Sequence, residues 1–247
     1  MIIQNATYNI IYPKTKNIRK EIFSLEDNLG DLFAKPFSLI PIPDEAPEEI
    51  PRISATSHHG HSTLNISLNT AQLVVNYDEN YWSNKEKCLG YIKDHIRKIY
   101  AAISNNTKNE FLFSGLTLNI VFDELHKMDP INIIMDNFYK IKSTTKPYDI
   151  NNKVTFIVDN KYYINISCSN IRTYEGLAHL GVNSLANMKE TAHLISVNLD
   201  INDRYSFNYI PGYTSSSNEV DKILDLTDNI LSHKIYKFIT EGVIELW

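Results

Sequence analysis

Apolar and polar positions along the chain repeat with two different periods, and the switches between them mark the elements. Ala6 to Tyr12 is dense in β-branched and aromatic residues and stops at Pro13, which has no amide to donate, so it predicts a strand. Ile18, Ile22, Leu25, Leu29 and Leu32 then recur every three or four residues between Asn17 and Phe33, the stripe of an amphipathic helix. Pro36, Pro41, Pro43, Pro47 and Pro51, with the acidic pairs Asp44-Glu45 and Glu48-Glu49, exclude a long helix or central strand and predict an exposed, extended crossing. Alternation returns after Arg52. Leu64, Ile66 and Leu68 share one face of Ser62 to Leu68, and a short turn leads into Ala71 to Tyr77, a hairpin of a half-buried antiparallel sheet.

The most regular helical stripe follows. Ser83 and Glu86 have capping-box spacing, and Leu89, Ile92, Ile96, Ile99, Tyr100 and Ile103 fall in one arc, with Lys87, Lys93, Arg97 and Lys98 outside it. Leu116 to Phe122 reads as a strand, and Asp129 before Pro130 as the cap and first turn of a helix through Ile133, Ile134 and Phe138. Lys142 to Asn152 reads as a linker, with a boundary near residue 146. Beyond it, Val154 to Val158 and Tyr162 to Cys168 flank the turn pair Asp159-Asn160, while Leu194 to Ile201 and Tyr205 to Tyr209 flank Asn202-Asp203, which predicts two hairpins. Ser216 and Glu219 repeat the capping-box spacing before a helix from Ser217 to Ile239 carrying Val220, Ile223, Leu224, Ile230, Leu231, Ile235 and Phe238 on one side. The expected class is α+β, antiparallel sheets with long amphipathic helices packed on one face. Both 1–145 and 146–247 run strands first and a long helix afterwards, which invites a reading as two similar halves that can also close into one compact domain.

Composition narrows the chemistry. Two cysteines, Cys88 and Cys168, can build neither a disulfide scaffold nor a four-cysteine zinc module. A net charge of -5 argues against nucleic acid as a general partner. No apolar run reaches the roughly 18 residues of a membrane span, and the first twenty residues lack a leader's charged start and cleavage site, so a cytoplasmic protein is expected. The one concentrated group of ligand types is His58-His59-Gly60-His61. Neutral imidazoles bind zinc, which makes a metal-dependent hydrolase or nuclease the alternative function, but no HExxH or CxxC accompanies them, and Gly60 suits an exposed turn between strands. Cys168, His179 and Glu175 compose a nucleophile set on paper, yet Cys168 lies in an alternating strand where a buried thiol is the ordinary outcome. Asp123-Glu124 and the run Asp200 to Asp203 could hold a cation but fall at predicted strand ends. With neither a GxSxG elbow nor a phosphate-cradling glycine loop, a non-enzymatic protein without a cofactor is expected.

Fifteen tyrosines against two tryptophans point instead toward recognition, because a tyrosine offers apolar area and a hydroxyl at low entropic cost. Tyr205, Tyr209 and Tyr213, along a hairpin arm and the loop that follows, are the candidate protein-binding residues. The proline-interrupted crossing, the strands ending in Tyr77-Asp78-Glu79-Asn80-Tyr81-Trp82, the helix to Ile103 and the closing Lys237-Phe238-Ile239-Thr240-Glu241-Gly242 together resemble a sporadically distributed, uncharacterised bacterial family of about this length. That resemblance covers most of the chain and brings no assigned activity or catalytic residue. A patchy distribution implies cargo of antiviral defence or toxin-neutralising loci. The expected function is therefore a protein-binding component whose partner is encoded nearby, with self-assembly of identical copies as a further alternative.

Overall fold

The computed structural model describes residues 1–43, 45–82, 84–107, 111–125, 128–140, 143–175 and 188–246. Among these, nine strands form one antiparallel sheet: β1 (Ile2–Ile11), β2 (Ser38–Leu39), β3 (Ile53–Thr56), β4 (Ser62–Ile66), β5 (Thr70–Asn76), β6 (Phe113–Phe122), β7 (Asn151–Val158), β8 (Tyr162–Glu175) and β9 (Lys189–Asn202). Their order is β2-β3-β4-β5-β1-β6-β9-β8-β7, with β1 in the middle. The helices are α1 (Ile22–Leu29), α2 (Glu79–Trp82), α3 (Lys85–Thr107), α4 (Pro130–Phe138), α5 (Arg204–Tyr209), α6 (Ser217–Asn229) and α7 (Ile235–Glu241). The class is α+β.

β1, β5, β6, β8 and β9 bury every second residue over most of their length, as their alternation requires. Tyr8 and Ile10 of β1, Leu116, Leu118 and Ile120 of β6, and Val197, Leu199 and Ile201 of β9 join the buried residues of α1, α3, α4, α6 and α7 in one core. The sheet crosses residue 146 without a break, because β6 pairs with β9 from Gly115↔Asn202 to Phe122↔Ile195. Residues 1–145 and 146–247 therefore share a sheet and a core, and Phe138 of α4 meets Phe238 of α7 with ring centroids 4.9 Å apart.

Several local expectations hold and several change. Asp129 accepts the Ile131 N–H at 3.0 Å and caps α4. Asp159 and Asn160 both adopt left-handed backbone, φ 54° and 51°, the pairing a two-residue hairpin turn needs between β7 and β8. At α3 the Asn84 Oδ1 accepts the Lys87 N–H at 2.8 Å; Ser83 of the expected capping box lies outside the described residues. At α6 the capping box is not made. Ser216 has no side-chain cap bond, and the Glu219 carboxylate instead accepts the Tyr162 hydroxyl from β8. The single helix expected from Ser217 to Ile239 is interrupted by a π-helical turn, Ile230–Lys234.

The second predicted hairpin is the largest correction. Residues 204–209 form α5, not a strand: the Asn202 side-chain oxygen accepts the Arg204 N–H at 3.2 Å, and the Ile210 N–H closes on Ser206 O at 2.8 Å. Tyr205, Phe207 and Tyr209 mimic strand alternation, but Tyr205 and Tyr209 are also one helical turn apart, and the helix stacks them.

Candidate functional site

The sheet face opposite the core is built from the polar half of the same alternation. Neighbouring strands place amides side by side there: Asn198 donates to Asn119 at 2.7 Å, Asn119 donates to Asn5 at 2.6 Å, and Gln72 donates to Asn9 at 3.0 Å. On strands β9 and β8 the ladder closes around Asp200. Its Oδ1 accepts Thr117 Oγ1 at 3.0 Å, and its Oδ2 accepts Asn165 Nδ2 at 2.8 Å and Asn202 Nδ2 at 2.9 Å. Three donors hold this carboxylate in place, so it acts as the fixed floor of a polar surface.

α5 stands at one end of this face. Its Phe207 meets Phe113 of β6 (centroids 5.3 Å), with the Arg204 guanidinium 5.4 Å above the Phe113 ring. Tyr205 packs edge-on against Tyr163 of β8 at 5.3 Å and lies 4.6 Å from Tyr209. A hydrogen bond with Tyr163 raises the Tyr209 phenol above its ordinary value. Between helix and sheet lies a recess of about 360 Å³ lined by Thr155, Tyr163, Asn165, Asp200, Asn202, Arg204 and Asn208. Beside it Tyr209, Phe207 and Ile210 stand 64%, 38% and 41% exposed. The site thus combines amide and carboxylate groups with a pre-stacked aromatic rim, an arrangement able to bind by stacking and hydrogen bonding.

Of the three tyrosines expected to bind a protein, the structure brings Tyr205 and Tyr209 together and sets Tyr213 apart. The Tyr213 hydroxyl donates to the buried Asp203 at 2.7 Å and serves the interior. Other tyrosines do the same: Tyr12 donates to Ser67 O at 3.0 Å and Tyr77 to Cys88 O at 2.9 Å. Tyr163, Phe207 and Asn165 carry no candidate role in the sequence, whereas Asp200 and Asn202 belong to the run weighed for a cation and are tied instead to Thr117 and Asn165. Their signal is the run of amide, hydroxyl and carboxyl residues at every second strand position.

The remaining candidates disperse. His58 Nε2 lies 3.1 Å from Gly30 O, and His61 lies 3.5 Å from Asp78 and against the Tyr81 ring, while His59 is exposed in the turn whose Gly60 has φ 74°. Among the described residues no three His, Cys, Asp or Glu side chains converge to hold a metal ion. Asp123 and Glu124 both accept from the Met1 amino group. His179 lies outside the described residues. Asp200 faces the open side of the sheet, whereas Asp203 is buried.

Cys168 and Cys88 are buried, and burial pushes their thiols up to about 12 and about 11. The thiolate is the reactive form, so the native protein should give close to zero equivalents with a thiol reagent within minutes, and both thiols should titrate once guanidinium unfolds it. One fast equivalent in the native state would show that a cysteine is accessible after all.

No helix among the described residues is long and apolar enough to cross a membrane. Comparison with known proteins finds no family model, no curated relative and no solved structure that matches the chain.

Proposed function

We propose that the chain is a non-enzymatic binding component that recognises another protein through the α5 end of its open sheet face. The observation carrying this reading is the contiguous exposure of Phe207, Tyr209 and Ile210 beside a polar recess. Rigid aromatic anchors next to hydrogen-bonding groups are the composition of interface hot spots, and aromatics already stacked on one another lose little freedom on binding. The amide ladder supports this role from beneath, because Asp200 and its donors fix the floor against which α5 is set. A toxin or other conflict protein is the partner class that the family resemblance implies.

The test is affinity capture from the native host at native expression level, comparing wild type with the double variant Phe207→Ala, Tyr209→Ala. Truncating two hot-spot aromatics should weaken the captured complex by roughly 30-fold or more. Phe207 also packs on Phe113, so the melt should fall somewhat while the variant stays folded by circular dichroism. A wild-type protein that retains no partner, or a partner retained equally by the variant, contradicts the proposal.

A further inference from the structure

The two edges of the sheet are treated differently. At one end β2 has two residues, and the chain after it enters the crossing that contains Pro41, Pro43 and Pro47, so that edge offers little backbone to another strand. At the other end β7 is eight residues long, has no proline, and carries Lys153 as its one charge.

The direction of its backbone groups follows from its neighbours. Ile150 O accepts the Asn170 N–H from β8 at 3.3 Å, and Val158 O accepts the Lys161 N–H at 2.9 Å, so even-numbered residues turn their N–H and C=O toward β8. In an antiparallel pair a residue points both groups to the same side, and odd-numbered residues of β7 therefore face outward. The Asn151 carbonyl, met by the Tyr139 hydroxyl from outside the sheet, agrees with this assignment. Among the described residues, none hydrogen-bonds the N–H or C=O of Lys153, Thr155 or Ile157, and all three residues are exposed.

We propose that this edge pairs with the same edge of a second copy, antiparallel about a two-fold axis at Thr155. That register makes Thr155 face Thr155, and Lys153 of each copy face Ile157 of the other, so the outward groups of three residues per copy all find partners and the two lysines never oppose each other. Threonine pairs and aliphatic contacts across strands are favourable, while opposed like charges are not. On the helix side of the sheet the same register brings Val154 of each copy against Phe156 of the other. Both side chains lie partly buried at the margin of the core, and pairing extends that core across the axis. A second copy fits because the strand is complementary to itself in both its charge and its apolar positions. Thr155 also borders the recess beneath α5, so the pairing would place two binding surfaces on one continuous sheet, although it does not depend on what those surfaces bind.

A single edge pairing is a small interface, so self-association on the order of 10 µM is expected. Sedimentation of the full chain alone, from about 1 to 200 µM, should show a monomer–dimer equilibrium. Thr155→Pro deletes one outward N–H while leaving the even-numbered bonds to β8, and should weaken the dimer by roughly tenfold or more. Ile157→Lys sets a lysine opposite Lys153 of the other copy and should do the same, deciding the matter if the proline variant fails to fold by circular dichroism. A wild-type protein monomeric at 200 µM, or a dimer that a folded edge variant leaves unchanged, overturns the proposal.

Discussion

Replacing Asp203 with alanine is expected to destabilise the protein by about 3–5 kcal/mol, because it strips the acceptor from several buried donors at once. Asp203 is fully buried where β9 ends and α5 begins. Its Oδ1 accepts the Ser114 N–H at 2.6 Å and its Oδ2 accepts the Tyr213 hydroxyl at 2.7 Å, while its own N–H donates to Ser114 O at 3.2 Å. Ser215 belongs to the same knot through its side chain and through the bridge Phe111↔Ser215. One carboxylate therefore ties the start of β6, the end of β9 and the loop before α6 together. For a chain of this size the loss corresponds to a fall in melting temperature of roughly 6–20 °C.

The same variant should carry a pH signature. Burial pushes the Asp203 carboxyl above the ordinary carboxylate range, and the bonds from Ser215, Ser114 and Tyr213 pull it back only in part. The folded protein then holds a proton that the unfolded chain releases, so this contribution to stability is full below the unfolded value and fades as pH rises through the folded one. The gap between wild type and Asp203→Ala should accordingly be widest near pH 4 and narrower at pH 7, as read from melts across that range. A gap that widens toward neutral pH would mean that hydrogen bonding, and not desolvation, sets the state of this group. Because α5 begins at the next residue, the variant should also weaken partner capture, with a larger loss of stability than Phe207→Ala, Tyr209→Ala brings.

What the sequence made legible was local. The stripe from Leu89 to Ile103, the hairpin through Asp159-Asn160 and the Asp129 cap each depend on residues a few positions apart, and the structure has them, while the stripe from Ile18 to Leu32 is split between a 3₁₀ turn, Ile18–Glu21, and α1, which ends at Leu29. The pairing of β6 with β9 joins residues about eighty positions apart, and no local pattern encodes it. α5 departs from the expected strand because aromatics at every second position fit a strand as well as a turn of helix. The Ser216–Glu219 spacing failed as a capping box because Glu219 had a better partner, the Tyr162 hydroxyl. The candidate site sits between these cases. Tyr205 and Tyr209 stand out as tyrosines and Asp200 and Asn202 as part of a run of oxygen donors at a strand end, but their contact with Asn165 follows only from the register of β8 with β9. Tyr213 resembled its neighbours in sequence and differs from them only through Asp203, ten positions away.

The crossing between β2 and β3 should be the first segment to open when Arg52 is replaced by methionine. Prolines remove amides from this stretch, so few backbone bonds can hold it, and side chains substitute for them. Arg52 is fully buried, and its guanidinium donates to the carbonyls of Ile50 at 2.6 Å, Ala46 at 3.0 Å and Pro47 at 3.4 Å. Arg19 clasps the other end, donating to Ile42 O at 2.6 Å, and Lys14 pairs with Glu48 at 2.7 Å on the surface. Methionine keeps much of the apolar volume of Arg52 but none of its donors, leaving three carbonyls without this partner at a cost of about 2–4 kcal/mol. Limited proteolysis read by mass spectrometry should place the first new cuts between Ile42 and Pro51, at protease levels the wild type survives. Unchanged resistance there would mean that the crossing is held by its backbone and by Arg19 and Lys14 alone.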